Sequence, residues 1–256
     1  MMTNSKPPKL TLGYDLDSWT HFGEKEPITV DISPSENSHI LLCGMSGSGK
    51  SFQEHQLFYR CILAEQALDG EYFFADYKGD DSFKYLRGCP RYYTYHDTLQ
   101  ALDTVHSRLL ARQSGQDLTR NPVTLVWDEY IAQMLNLLSS DKKVATATMS
   151  KISEILMLGR SLGPIRLIVS CQRADAAAFP SGARLNYGII CVVGAAIRSL
   201  YEMLLPDHME QVKGRQFGRG EGVALLQGST LRFLKVPTVR DESRMRRVCH
   251  DALSKA

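Results

Sequence analysis

Residues 44–51 read Gly-Met-Ser-Gly-Ser-Gly-Lys-Ser, residue types and a spacing that suit a polyphosphate. Phosphates carry dense negative charge, so a site for them needs donors that approach closely. Glycines let backbone amides curl around the oxygens, and the N-terminus of a following helix adds its dipole. Gly44, Met45, Ser46, Gly47, Ser48 and Gly49 supply such a loop, and Phe52 adds an amide at the helix start. Lys50 is placed to reach the β- and γ-phosphates of ATP, and the Ser51 hydroxyl to ligate Mg²⁺. A short apolar strand over residues 39–43 and a helix pattern over 50–66 give the motif its required context. The alternative is a chance glycine turn.

A second stretch, Thr124-Leu-Val-Trp-Asp128-Glu129, is an apolar strand ending in adjacent carboxylates. In that position Asp128 holds the Mg²⁺ shell, and Glu129 orients and deprotonates the attacking water. Two adjacent acids can also simply begin a helix, where carboxylates favour the first turn. A third stretch, Leu167-Ile-Val-Ser-Cys171-Gln172-Arg173, ends in an amide that can contact the γ-phosphate or the lytic water. An ordinary strand-end glutamine is the other reading of Gln172. A nucleoside kinase would not specifically require the Glu129 base.

These groups need a scaffold, and the pattern along the chain supplies one. After a leader over residues 1–8, apolar and polar residues alternate through 9–32 around Gly23 and Pro27, which predicts a hairpin. Strands follow at 39–43, 72–75, 123–127, 165–170 and 187–193. Helices intervene at 50–66, around Leu99 to Leu109, at 145–162 and at 197–205. Strand alternating with helix implies an α/β fold with a doubly wound, mainly parallel sheet, which binds ligands at the carboxyl ends of its strands. Residues 223–227 and 230–236 form a terminal hairpin, and a basic helix spans 240–256.

Composition bounds the function. The chain has 256 residues, 43% hydrophobic and 23% charged, with a formal net charge of +2. That charge is too small to imply a nucleic-acid partner, so basic groups must be focused locally if DNA is bound. The six cysteines are dispersed, without a CxxC pair, and read as buried free thiols in a reducing cytosol. The longest apolar run, residues 187–197, falls short of the ~20 residues that a membrane span needs. A cytoplasmic protein with no membrane segment of its own is expected.

The ordered set resembles the motor domain of FtsK/SpoIIIE DNA translocases and the related coupling ATPases of conjugative elements. The lead-in Asp31-Ile-Ser, the strand 39–43 and the loop are similar to that family's first strand and P-loop. Ala75-Asp76-Tyr77-Lys78-Gly79 is similar to its Asp-x-Lys element, and Gly159-Arg160 through Gln172-Arg173 to the stretch carrying Gln-Arg-Pro. Phe217-Gly-Arg-Gly220-Glu-Gly222 is similar to its late glycine-acid segment. The resemblance covers residues 9–239. It implies a P-loop NTPase of RecA/ASCE type that uses ATP and Mg²⁺ to translocate DNA as a homo-oligomeric ring, a hexamer. Ala174 stands where the family has proline, and neither an N-terminal membrane region nor a C-terminal winged helix is expected. A compact motor of a plasmid or integrative element, recruited by a relaxase or replication initiator, is what this implies.

Ring ATPases complete their site with an arginine from the adjacent subunit; Arg184 and Arg198 are the candidates. Arg160, Arg166, Arg173 and Arg184 form one basic stretch and Lys213, Arg215 and Arg219 another. Both suit sequence-independent phosphate contacts, unless they are solvated or ion-paired. Arg244, Arg246 and Arg247 read as a solvated helix face. A nucleotide-switched adaptor that binds DNA or a relaxase without movement, and a small-molecule kinase, remain the competing functions.

Overall fold

The computed structural model describes residues 7–174, 176–179 and 186–255. Ten strands join in one sheet. Its parallel part runs, in spatial order, β8 (Ile189–Val193), β3 (Ile40–Cys43), β7 (Ile165–Cys171), β6 (Val123–Asp128), β4 (Glu71–Asp76) and β5 (Tyr92–Thr94). Strands β3, β6, β7 and β8 are buried along their whole length, which is why they read as continuous apolar runs rather than alternating ones. Beyond β8 the sheet turns antiparallel through β9 (Glu221–Leu226), β10 (Thr230–Lys235), β1 (Lys9–Asp15) and β2 (Pro27–Asp31). The two terminal hairpins therefore extend the central sheet instead of standing apart from it.

Helices cover both faces. Leu41 and Cys43 point into a core built with α3 (Thr98–Gln113), α4 (Tyr130–Ser140), α5 (Lys142–Leu158) and α6 (Arg198–Leu204). Ile40 and Leu42 point the other way, into a core with α2 (Lys50–Ala64) and α8 (Glu242–Ser254). Two short helices, α1 (Leu16–Phe22) and α7 (Met209–Val212), complete the set among the described residues. This is the doubly wound, mainly parallel sheet expected from the pattern. All six cysteines are free and buried. No helix among the described residues is long and apolar enough to cross a membrane, and the apolar run after residue 187 becomes β8.

Three local expectations need correction. Residues 9–32 do pair as antiparallel strands, Lys9 opposite Asp31 and Tyr14 opposite Pro27, but α1 lies between them. Asp15 caps that helix by accepting from the Ser18 amide at 2.9 Å, and Gly23 ends it in the left-handed region at φ 69°, a position that glycine fills at low cost. The single helical region expected at 145–162 is preceded by a separate α4. Asp141 divides the two, accepting from the amides of Lys143 and Val144 at 3.0 and 3.1 Å. Strand β5 was not anticipated, since three residues are too few to show a period.

Candidate nucleotide site

The glycine loop leaves β3 at Cys43 and enters α2 at Lys50. The Gly44 amide donates to Cys171 O at 3.1 Å and the Ser48 amide to Met45 O at 3.1 Å. Gly47 and Gly49 hold φ of 81° and 96°, a region that other residues enter only with strain. Distant segments brace the loop from behind. The Gly220 amide donates to Ser48 O at 2.9 Å, and a Cβ on Gly194 would stand 2.4 Å from Ser48 Cβ. The late Phe217–Gly222 glycines thus let a second backbone lie against the loop.

Strand β7 sits between β3 and β6, which puts Gln172 between the loop and the acid pair. Lys50 Nζ lies 2.7 Å from Asp128 Oδ1, 3.2 Å from Glu129 Oε1 and 3.1 Å from Ser170 Oγ. Ser170 Oγ in turn donates to Asp128 Oδ1 at 2.6 Å. Gln172 Nε2 donates to Glu129 Oε1 at 3.0 Å. Burial works against the Lys50 charge, but the carboxyl groups of Glu54, Asp128 and Glu129 outweigh it and hold the ammonium above its ordinary pKa. Glu129 occupies the position before α4, in left-handed backbone at φ 54°, and its side chain makes no capping hydrogen bond. Its carboxylate faces Lys50 and Gln172 instead. A capping acid turns to the amides of its helix; Glu129 starts α4 without capping it.

The family-like Asp76 is in register with Asp128 but turns elsewhere. It accepts from Tyr92 Oη and from the Gly79 amide, each at 2.7 Å. Burial raises its carboxyl above the ordinary range. It fastens the loop after β4, on which Lys78 and Asp80 reach the site.

Together these parts enclose a cleft of about 340 Å³, within the size range of small-molecule sites. Met45, Ser46, Gly47, Gly49, Lys50, Ser51, Phe52, Asp128, Glu129 and Gln172 all line it, as sequence reasoning grouped them. Gly44 and Ser48 are buried behind the loop. The hydroxyl of Ser51 and the carboxylate of Asp128 are the hard oxygen donors that fit Mg²⁺. No cluster of three metal-binding side chains occurs among the described residues.

The sequence missed part of the lining. His55, Ser82, Arg219, Glu242 and Arg246 also face the cleft. Arg246 was expected on a solvated face; its side chain is 43% exposed and pairs with Glu242, and it also lies 5.4 Å over the Tyr85 ring and lines the cleft. Arg244 and Arg247 of that group are exposed as well. Arg219, assigned to a basic stretch, stands at the mouth of the cleft beside Gly49.

The other cations divide between the two readings. Arg166 is fully buried and paired with Glu65 at 2.8 Å, so it cannot touch DNA. Arg215 binds Asp17 through two nitrogens at 2.7 and 3.1 Å and covers Phe233. Lys213 pairs with Glu210 at 3.3 Å. Arg160 and Arg173 remain exposed. Arg198 is exposed and pairs with Glu202 at 2.7 Å, outside this chain's own cleft. Arg184 lies outside the described residues.

No protein-family model matches the chain, and no curated protein matches it. Solved structures do. The cytoplasmic domain of the Thermomonospora curvata type VII secretion ATPase EccC superposes with a TM-score of 0.68 at 19% identity, over 98% of this chain and 32% of that one. The pCW3 conjugation coupling protein TcpA, solved with ATPγS, gives 0.68 at 18%, over 93% of this chain and 68% of that one. EssC ATPases 2 and 3 from Geobacillus thermodenitrificans give 0.67 at 12%, over 98% and 50%. This chain thus spans about a third, two thirds and half of those chains. The likeness is one of fold, that of the P-loop NTPases.

Proposed function

We propose that the chain hydrolyses MgATP and, in a ring of identical subunits, uses the turnover to move DNA. The observation that carries this reading is the meeting of Lys50, Asp128, Glu129 and Gln172 at one edge of the sheet, with Glu129 held between Gln172 at 3.0 Å and Lys50 at 3.2 Å. Lys50 exchanges these carboxylates for the β/γ oxygens of the nucleotide, which frees Glu129 to accept a proton from the attacking water. Gln172 keeps that carboxylate aimed. Ser51 and Asp128 hold Mg²⁺, which when bound neutralises phosphate charge. A nucleotide-switched adaptor would not need the Glu129 base.

DNA as the cargo is supported by the ordered motifs over residues 9–239 and by the fold shared with a conjugation coupling protein. Recruitment by a relaxase or replication initiator belongs to the same reading. Secretion ATPases share the fold too, so the test includes polypeptide. ATP turnover should rise with single-stranded, duplex or forked DNA, and not with an unfolded polypeptide. DNA affinity should fall steeply with salt and vary little with sequence; a contact with 6–10 phosphates loses about 10³–10⁵ between 50 and 200 mM. Turnover that ignores DNA, or binding insensitive to salt, would replace DNA by another cargo.

The ring predicts a shared site. Ile197 and Ser199, on either side of Arg198, line a groove with Met45 and Gln172, so Arg198 stands near the edge of the catalytic face. Arg198, or Arg184, is proposed to reach the neighbouring subunit's nucleotide. Arg198→Ala subunits should bind ATP normally and hydrolyse it poorly. Mixed with Glu129→Gln subunits they should regain part of the activity, because some interfaces then hold both groups. No regain for either arginine means that Arg219 and the other cations of the same chain complete the site.

A further inference from the structure

Helix α2 carries four consecutive buried polar residues, Gln53, Glu54, His55 and Gln56. Such a run occupies every side of a helix, so it cannot be one amphipathic face. Of the four, His55 lines the cleft. Its residue is 6% exposed, and its ring meets Phe83 edge-on at 4.6 Å and Tyr85 at 5.5 Å between centroids. Its Nε2 has no hydrogen-bond partner. A buried ring nitrogen without a partner carries the full cost of its lost hydration, and a ligand atom that met it would recover that cost.

The direction of a bound nucleotide follows from the loop. Glu129 and Gln172 mark the γ end, and the first amides of α2 mark the other. From there Ser51, Phe52 and His55 lie on one side of α2, three and four residues apart. Ser82 and the first turns of α8, with Glu242 and Arg246, line the same arm. We propose that this arm holds the nucleoside, ribose and base, with the buried His55 ring as the polar residue of its inner wall and the Glu242–Arg246 pair closing its outer wall. This rests on the nucleotide reading of the glycine loop. Burial, with Arg246 nearby, pushes the His55 imidazole down to about 4, so at neutral pH it offers one N–H and one lone pair to an uncharged base or hydroxyl. The Glu242 carboxylate can accept from a hydroxyl or amine.

Calorimetric titration with MgATP and with magnesium tripolyphosphate separates the arm from the loop. The parent chain should bind MgATP more tightly than tripolyphosphate. His55→Ala should weaken MgATP about tenfold, as for one lost buried hydrogen bond, and leave tripolyphosphate unchanged. His55→Gln should recover part of the loss, since its amide still bonds. Arg246→Ala, on the protein's surface, should weaken MgATP several-fold without touching tripolyphosphate, and it decides the matter if His55→Ala does not fold. Equal weakening of both ligands, or no weakening of MgATP by Arg246→Ala and His55→Ala, overturns the arm while the loop reading stands. A parent chain that binds neither ligand overturns the loop reading and the arm together.

Discussion

Glu129→Gln is expected to bind MgATP as the parent chain does and to hydrolyse it about 10²–10⁴-fold more slowly, the range a positioned base contributes. The substitution keeps shape and the contact with Gln172, since an amide oxygen can still accept from Gln172 Nε2. What it removes is the charge that takes the water's proton. It also removes the carboxylate charge that faces Lys50 at 3.2 Å, but Asp128 stays at 2.7 Å, so ATP affinity should remain close to the parent's. Lys50→Ala acts on the opposite term. It removes the ammonium and leaves Asp128 and Glu129 buried together without their cation, so binding and turnover should both fail. Single-turnover hydrolysis and equilibrium binding on the two variants tell them apart. Glu129→Gln turning over at the parent rate would end the assignment of Glu129 as base.

The parts of this site that were legible in the sequence are the parts that are local. The glycine loop, Lys50 and Ser51 are consecutive, and Asp128 and Glu129 follow one apolar strand. Gln172 could be read because strand ends in a parallel sheet gather at one edge. The far wall of the cleft could not. Glu242 and Arg246 reach it because α8 packs beside α2, and nothing in the spacing of α8 announces that neighbour. His55 was hidden for another reason: residues 53–58 of α2 are all buried, so the polar ones among them gave no face to read. The α1 helix, by contrast, was legible and overlooked, since Asp15 three residues before Ser18 and Gly23 at its end are ordinary start and stop signals.

Arg166 carries the last prediction. It stands inside the run Ile165-Arg-Leu-Ile-Val-Ser-Cys171, a central strand with both faces covered. An arginine there has no route to solvent, so it must be buried with partners. Its guanidinium donates to Glu65 Oε1 at 2.8 Å, Ser38 Oγ at 2.9 Å, Thr124 Oγ1 and Ile32 O each at 3.1 Å, and the Cys61 sulfur at 2.9 Å. Arg166 and Glu65 both have 0% side-chain exposure. Arg166→Met should therefore cost about 3–5 kcal/mol, because it leaves the Glu65 charge buried and unpaired. Pairing it with Glu65→Leu should return most of that loss, since two apolar groups need no partner. Urea unfolding of the two single variants and the double gives the coupling directly. DNA affinity of the folded Arg166→Met protein should be unchanged in magnitude and in salt slope, because the charge removed lies in the core. A loss below about 1 kcal/mol, typical of an exposed pair, or a weaker DNA affinity, would return Arg166 to the surface.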